Sequence, residues 1–258
     1  VGLKFQTIRN LTTALTAGLS DADATVQSMA DCSPTKWHLA HTTWFFETFV
    51  LRDFVPNYKP FNPKYAYLFN SYYEAEGDRI ARPSRGVLTR PALEEIREYR
   101  AHVDAAIAKA LPTLPTRARS LLELGCHHEQ QHQELLLTDI QHLLSLNPVD
   151  QRVWDTRPEE TSTSQSLRWI EGREGPIEIG HDGKGFAFDS EGPRHKVWLA
   201  RHALAHRLVT NEEWRNFIAD GGYRDARHWL SDGWAWVKSN NITAPLYWRG
   251  MNEPGHCI

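Results

Sequence analysis

The sequence predicts an α+β protein of more than one domain: an N-terminal four-helix bundle followed by a smaller, irregular and partial α+β module. Three observations carry this. Apolar residues recur at helical spacing through residues 1–147, the composition turns polar just past Pro148, and short strand candidates between glycine-rich turns occupy the C-terminal third of the chain. With 258 residues, 41% of them hydrophobic, the chain is long enough to bury a core of ordinary size and to divide in two.

The first helix is expected over "LKFQTIRNLTTALTAGL", where Phe5, Ile8, Leu11, Leu15 and Leu19 fall on one apolar stripe. The second opens at "SPTKWHLAHTTWFFETFVL", with Ser33 as a cap and Pro34 at the first helical position. A third starts near Pro91, after Thr89 or Arg90, and runs through "ALEEIREYRAHVDAAIAKAL". The fourth, "ARSLLELGCHHEQQHQELLLTDIQHLLSL", is unusually long and stops before Asn147-Pro148. Between the second and third helices lies an aromatic-rich crossover, residues 54–90, of a length that points to function. These four helices define a domain over 1–150. The polar "RPEETSTSQS" falls in a linker over 151–166, and residues 167–258 form the second module. That module offers strands at "LRWIEG", "GPIEIG" and "HKVWLA" and a helix "TNEEWRNFIADGG" capped by Thr210 or Asn211. Trp229, Trp234, Trp236 and Trp248 crowd its end, predicting aromatic packing.

Several function classes are excluded at once. The formal net charge is -3 and no run of five like charges occurs, so a nucleic-acid partner is not expected. No apolar stretch reaches the roughly 18–20 residues of a membrane span. "VGLKFQTIRN" lacks the basic-then-apolar order of a signal peptide, and the expectation is a cytoplasmic protein without a membrane partner. Cys32, Cys126 and Cys257 are odd in number and widely spaced, which fits neither a disulfide framework nor a thiolate zinc site. The chain opens on Val and ends at "MNEPGHCI" without a closing element, and reads as a piece of something longer.

The chemistry concentrates in "CHHEQQHQEL", residues 126–135. On a helix His128 and His132 lie about 40° apart, on the stripe of Leu121, Leu124 and Leu135, and this i, i+4 pairing brings two ring nitrogens to one metal ion. Glu134 points away. A third ligand must come from a facing helix, where His41 lies mid-stripe among Trp37, Trp44 and Phe45 while His38 sits nearer the edge by Phe49; His41 is favoured. In the crossover, Arg82, Arg85 and Arg90 offer a bidentate fork for a substrate carboxylate.

"SPTKWHLAHTTWFFE", followed some ninety residues on by "HHEQQHQELL", resembles the DinB-like N-terminal domain of the ergothioneine-biosynthesis sulfoxide synthases. "DSEGPRHKVWLARHALAHRLVTNEEWRNFIADGGYRDARHWLSDGWAW" resembles the opening of the formylglycine-generating-enzyme-like (sulfatase-modifying-factor) domain that those enzymes carry second. The resemblance implies iron(II) held by His41, His128 and His132. It implies an O2-dependent reaction that joins the sulfur of cysteine or γ-glutamylcysteine to the imidazole C2 of hercynine and oxidises that sulfur. Three neutral imidazoles on one face would leave three positions for thiolate, imidazole and O2. The resemblance also implies that Gln131 bonds the substrate imidazole and that Tyr72 and Tyr73 supply a phenol to the oxygen chemistry. A tryptophan-containing segment that closes on the trimethylammonium group in the family lies beyond this chain's end, leaving Trp234, Trp236 and Trp248 as cation–π candidates. Rival readings are a selenoneine-forming relative, another DinB-like thiol-dependent transferase using zinc or nickel, and a non-catalytic ligand-binding protein.

Overall fold

In the computed structural model, residues 2–149, 153–154 and 165–248 are described. They fall into two compact units, one ending at Asp155 and the other beginning at Thr156.

The first unit is the helical bundle: α1 (Gly2–Leu15), α2 (Asp21–Thr25), α3 (Thr35–Phe46), α4 (Tyr65–Phe69), α5 (Leu93–Ala110) and α6 (Thr116–Ser145). Helix α1 packs on α6, and α3 lies against both α5 and α6. All twelve residues of α3 are buried, so "TKWHLAHTTWFF" shows no polar face because no side of this helix meets water. Its threonines stay satisfied by bonding back one turn: Thr42 Oγ1 donates to the His38 carbonyl and Thr43 Oγ1 to that of Leu39. Beyond Phe46 the same path widens into a π-helical stretch, Glu47–Arg52. The core proper comprises Phe5, Phe46, Ile96, Ile107 and Leu122 among others, and a smaller cluster joins Leu19 to Leu136, Ile140 and Leu144.

Several local expectations need correction. Leu11 is 49% exposed, and the buried side of α1 is Phe5, Ile8, Arg9 and Thr12. Two of those four are polar because a buried carboxylate, Glu129, faces them from α6 and accepts from both Arg9 and Thr12. Ser33 does not cap α3. Its N–H donates to Asp139 and its Oγ accepts from Arg85, while Pro34 takes the cap position. Helix α5 begins at Leu93 rather than Pro91, behind Ala92, and the carboxylate of Asp21 accepts the Leu93 N–H at 2.6 Å. The buried stripe of α6 is Ala118, Leu122, Cys126, Glu129, Gln133, Leu136 and Ile140. His128 and His132 sit on its half-buried flank, with Leu135 exposed, because this flank faces an open cleft and not the bundle axis. Most of the expected linker lies outside the described residues, but Trp154 is packed on the bundle, its Nε1 donating to the Leu15 carbonyl at 3.0 Å.

The second unit has two small antiparallel sheets. β1 (Trp169–Glu171) pairs with β4 (Ala203–Ala205), and β2 (Gly175–Ile179) pairs with β3 (His195–Leu199) in the register Ile177 opposite Val197. Helix α7 (Asn211–Ala219) has Thr210 as its cap, and α8 (Ser231–Ser239) comes after it. Of the four tryptophans expected to pack, Trp229 joins a chain of rings, Trp214–Phe217–Tyr223–Trp229, with neighbouring centroids 5.5–5.7 Å apart, while Trp236 is exposed. The helix α8 and the strand β4 are additions to the sequence reading. No helix among the described residues is long and apolar enough to cross a membrane.

Candidate metal centre

Three imidazoles meet where α3 and α6 face each other. The ligand-capable nitrogens of His41, His128 and His132 all lie within 4.8 Å of one another, and His41 Nε2 is 3.2 Å from His128 Nε2. Two nitrogens bound to one ion at about 2.0–2.1 Å stand roughly 2.9–3.4 Å apart for angles between square and tetrahedral, so the pair is already at ligating separation.

Each ring is held differently. His41 is sandwiched between Trp37, stacked at 4.5 Å, and Trp44 at 5.8 Å. Its Nδ1 lies 2.6 Å from the Phe69 carbonyl, which can only accept; Nδ1 therefore carries the proton and Nε2 is the free lone pair. Phe69 ends α4, so the crossover itself sets the tautomer of this histidine. His128 rests on the ring of Phe45 at 4.9 Å, and its buried Nδ1 has no partner among the described residues; that ring and the Nε2 contact with His41 orient it. His132 reaches His38, Nδ1 to Nδ1, at 2.9 Å.

All three are held neutral. Burial, then the neighbouring His128, press His41 well below the usual imidazole range, against the opposing bond to Phe69. Burial lowers His128 to about 4, and burial followed by His41 and His38 lowers His132. Neutral rings are what a divalent ion requires, since a protonated imidazole has no lone pair to give. The donor set and spacing thus fit a divalent metal.

The histidines line a cleft of about 450 Å³. Tyr72, Tyr73, Arg82, Arg85 and Gln131 line it as well, so the structure brings these five expected residues to the three histidines. Arg90 is a correction: it is exposed and does not line the cleft, because the chain has already turned away toward α5. Tyr72 and Tyr73 point apart. Tyr72 is 70% exposed, with its hydroxyl accepting from Arg82 and the Arg79 and Arg82 guanidiniums over its ring. Tyr73 packs against Trp44 and Phe49, and burial raises its phenol above the ordinary range. Arg85 is buried with its guanidinium carbon over Trp37, 3.4 Å from the ring centre, and burial followed by the nearby Arg82 lowers it to about 10, so it stays cationic at neutral pH.

Sequence reasoning passes over Asp139 and over a supporting role for His38. His38 Nε2 lies 2.9 Å from Asp139 Oδ2, and Asp139 lines the cleft too. A signal exists: Asp139 comes seven residues after His132, two helical turns on, and shares its face. In the second unit, Lys238 lies over the Trp234 ring and Arg215 over Trp248, and Trp236 is exposed. Cys32 and Cys126 are buried free thiols; Cys257 lies outside the described residues.

With this geometry established, comparison with known proteins is specific. The family model of the DinB superfamily matches residues 4–136, more than half the chain. The chain belongs to the DinB superfamily. Behind this DinB bundle, residues 154–257 match the sulfatase-modifying factor enzyme 1-like domain. Curated relatives of this DinB protein include the hercynine oxygenase of Mycolicibacterium thermoresistibile, 31% identical over 249 residues (93% of this chain, 53% of the relative). Those of Mycolicibacterium smegmatis (31%, 84% of this chain, 50% of the relative) and Mycobacterium tuberculosis (30%, 89% and 53%) are similar. The chain spans about half the length of the curated relatives it matches.

Proposed function

We propose that this chain carries the iron site of an oxygen-dependent sulfoxide synthase that joins the sulfur of cysteine or γ-glutamylcysteine to C2 of the hercynine imidazole and oxidises that sulfur. The observation that carries the reading is the convergence of three neutral imidazoles on one side of a cleft whose other walls hold a buried arginine and a half-buried phenol. The two-domain order and the hercynine oxygenases among the relatives support it. Four electrons leave the substrates, two in forming the C–S bond and two in oxidising sulfur. O2 takes all four, one oxygen ending in the sulfoxide and the other in water.

Held by His41, His128 and His132, iron(II) would supply an O2-reactive, thiolate-binding centre with positions left open. The remaining work falls to the protein. Arg85, fixed on Trp37 with Nη1 donating to Ser33 Oγ at 2.9 Å, presents a cation to the thiol substrate's carboxylate, with Arg82 beside it. Gln131, exposed at the cleft edge, offers an amide to orient the substrate imidazole. Tyr73 keeps its proton at neutral pH because burial disfavours the phenolate, so its hydroxyl is the proton donor to the oxygen chemistry. Tyr72, tied to Arg82, positions that arginine instead.

The test is anaerobic reconstitution of the intact polypeptide with iron(II), addition of hercynine and each thiol, admission of O2, and mass analysis of products. A sulfoxide conjugate is expected with one of the two thiols. Equal turnover with zinc or nickel and no O2 uptake would assign the protein to thiol-transfer chemistry. Replacing Tyr73 by Phe removes one hydroxyl and should divert product from sulfoxide toward the sulfinic acid of the thiol, with loss of about 10²–10⁴ in the step that proton serves. Tyr72→Phe should change the ratio little. Parent-like partitioning in Tyr73→Phe would rule out its phenol as the donor.

A further inference from the structure

We infer that Asp139 and His38 form a hydrogen-bonded relay that fixes the protonation pattern of His132, making them positioning residues that set metal affinity without touching the metal. The inference rests on the three-histidine reading of the site.

The relay assigns one hydrogen to each contact. An ionised carboxylate only accepts, and Asp139 is held below the ordinary carboxyl range: burial opposes this, but the bonds from His38 and from the Ser33 N–H prevail. Asp139 Oδ2 takes the Ser33 N–H at 2.8 Å and stands 2.9 Å from His38 Nε2, so His38 Nε2 carries a hydrogen. Only one hydrogen fits between His38 Nδ1 and His132 Nδ1 at 2.9 Å, and in the relay it belongs to His132, with His38 Nδ1 accepting. That leaves Nε2 as the only free lone pair on His132. His41 reaches the same pattern by another route, its Nδ1–H donating to the Phe69 carbonyl.

The placement of the two residues serves this role. His38 is one turn before His41 on α3, and Asp139 is two turns after His132 on α6. The relay therefore joins the two helices that supply the ligands. His38 is 3% exposed and its ring lies 5.2 Å from that of His132, so the two rings pack directly against each other. Outer hydrogen bonds of this kind are typically worth 10- to 100-fold in metal affinity.

The experiment uses cobalt(II) as the probe, titrated anaerobically into the metal-free full chain and followed by its visible absorption. Three variants separate the relay from packing. His38→Leu keeps bulk and removes the acceptor; Asp139→Asn keeps shape and removes the charge. His38→Asn keeps an acceptor where Nδ1 stood. The expected result is a loss of about 10- to 100-fold for His38→Leu, a loss in the same direction for Asp139→Asn, and recovery of much of the affinity in His38→Asn. Thermal unfolding of each metal-free variant is recorded alongside. Should His38→Leu not fold, Asp139→Asn decides. Affinity within about two-fold of the parent in both His38→Leu and Asp139→Asn overturns the relay and leaves the three-histidine site standing. Equal losses in His38→Leu and His38→Asn also overturn it, since packing would then be the cause. A parent protein that binds no cobalt overturns the three-histidine reading itself, and the relay with it.

Discussion

In the helical unit, α3 buries twelve consecutive residues, two of them histidines and one a lysine; in the second unit, Trp198 and Leu208 stand 72% and 88% exposed. Val237 is the single buried hydrophobic side chain of the second unit among the described residues. The ionic contacts divide the same way. Arg9, Arg100 and Glu129 form a fully enclosed cluster in the bundle, whereas Arg207–Glu213 and Arg227–Asp225 of the second unit lie at the surface. The bundle thus encloses charged groups that the second unit leaves in water. Among the described residues, the second unit shows ring contacts, caps and strand pairs that water can reach. Perturbations of equal chemical size should cost several-fold more in the first unit.

The largest expected effect is at Glu129. Its Oε2 accepts from Arg9 at 2.9 Å, and its Oε1 from Arg100 at 2.9 Å and Thr12 at 2.7 Å. Glu129→Ala takes from Arg100 its carboxylate partner and from Arg9 one of two, since Arg9 Nε keeps Asp104 at 2.7 Å, and should cost the bundle about 3–5 kcal/mol in chemical unfolding. A cost below about 1 kcal/mol would erase the contrast. The same group predicts a pH dependence. Burial works to raise the Glu129 carboxyl, and Arg9 and Arg100 overcome it, holding it at about 2 against an ordinary 4.5. A depressed folded pKa stabilises the fold above the ordinary value, so this contribution, on the order of 3 kcal/mol, is lost as pH falls from 4.5 toward 2. Acid unfolding of Glu129→Gln, followed by circular dichroism, should be less steep over that interval than the parent's.

Gly125→Ala probes the bundle without touching a charge. A Cβ there would lie 2.9 Å from Phe45 Cε1 and closer still to Phe46, both within the core. Overpacking of this kind costs about 1–3 kcal/mol. The direction of relief sharpens the prediction. Phe45 is the ring that supports His128, and displacing it moves a candidate ligand whose Nδ1 has no partner among the described residues to restore it. Stability and divalent-metal affinity should fall together, read by unfolding of the metal-free protein and by metal titration. A stability loss with unchanged affinity would show that His128 is held by something other than Phe45.

How much of this the sequence discloses depends on how local each determinant is. The pairing of His128 with His132 is fixed by helical geometry alone, and His41 by its place among aromatic residues, so all three are readable. Arg9, Arg100 and Glu129 are not: each reads as an ordinary charged surface residue until the others, from 29 to 120 positions away, are placed against it. Leu11 misleads for the matching reason, since an apolar stripe drawn on α1 alone does not know that Glu129 demands polar partners on its buried side. Arg90 shares a segment with Arg82 and Arg85, yet only the folded path of the crossover separates it from the cleft. In the second unit Thr210 is readable because a capping box is complete within four residues. The strand β4 is not, being three residues long and defined only by its pairing with β1.

Thr210→Ala carries the smallest expected effect and tests the other side of the contrast. Thr210 Oγ1 accepts the Glu213 N–H at 3.2 Å, and the Glu213 carboxylate accepts the Thr210 N–H at 2.9 Å, closing both ends of the box at the start of α7. Removing the hydroxyl abolishes the first bond and its own 3.2 Å donation to Glu213 Oε2, and leaves the Thr210 N–H bond in place, since the carboxylate is also held by two bonds from Arg207. The loss should therefore be that of one exposed cap, about 1 kcal/mol, a factor near five in the opening equilibrium of the helix. Amide exchange followed by mass spectrometry resolves it locally. Peptides from α7 should exchange about five-fold faster in Thr210→Ala, while those from α3 and α6 keep the parent rate. If α3 peptides accelerated too, the units would be cooperative and the division of stability between them would fail. If α7 lost several kcal/mol, its cap would be carrying what burial carries in the bundle, and the exposed unit would be far more tightly determined than its surface suggests.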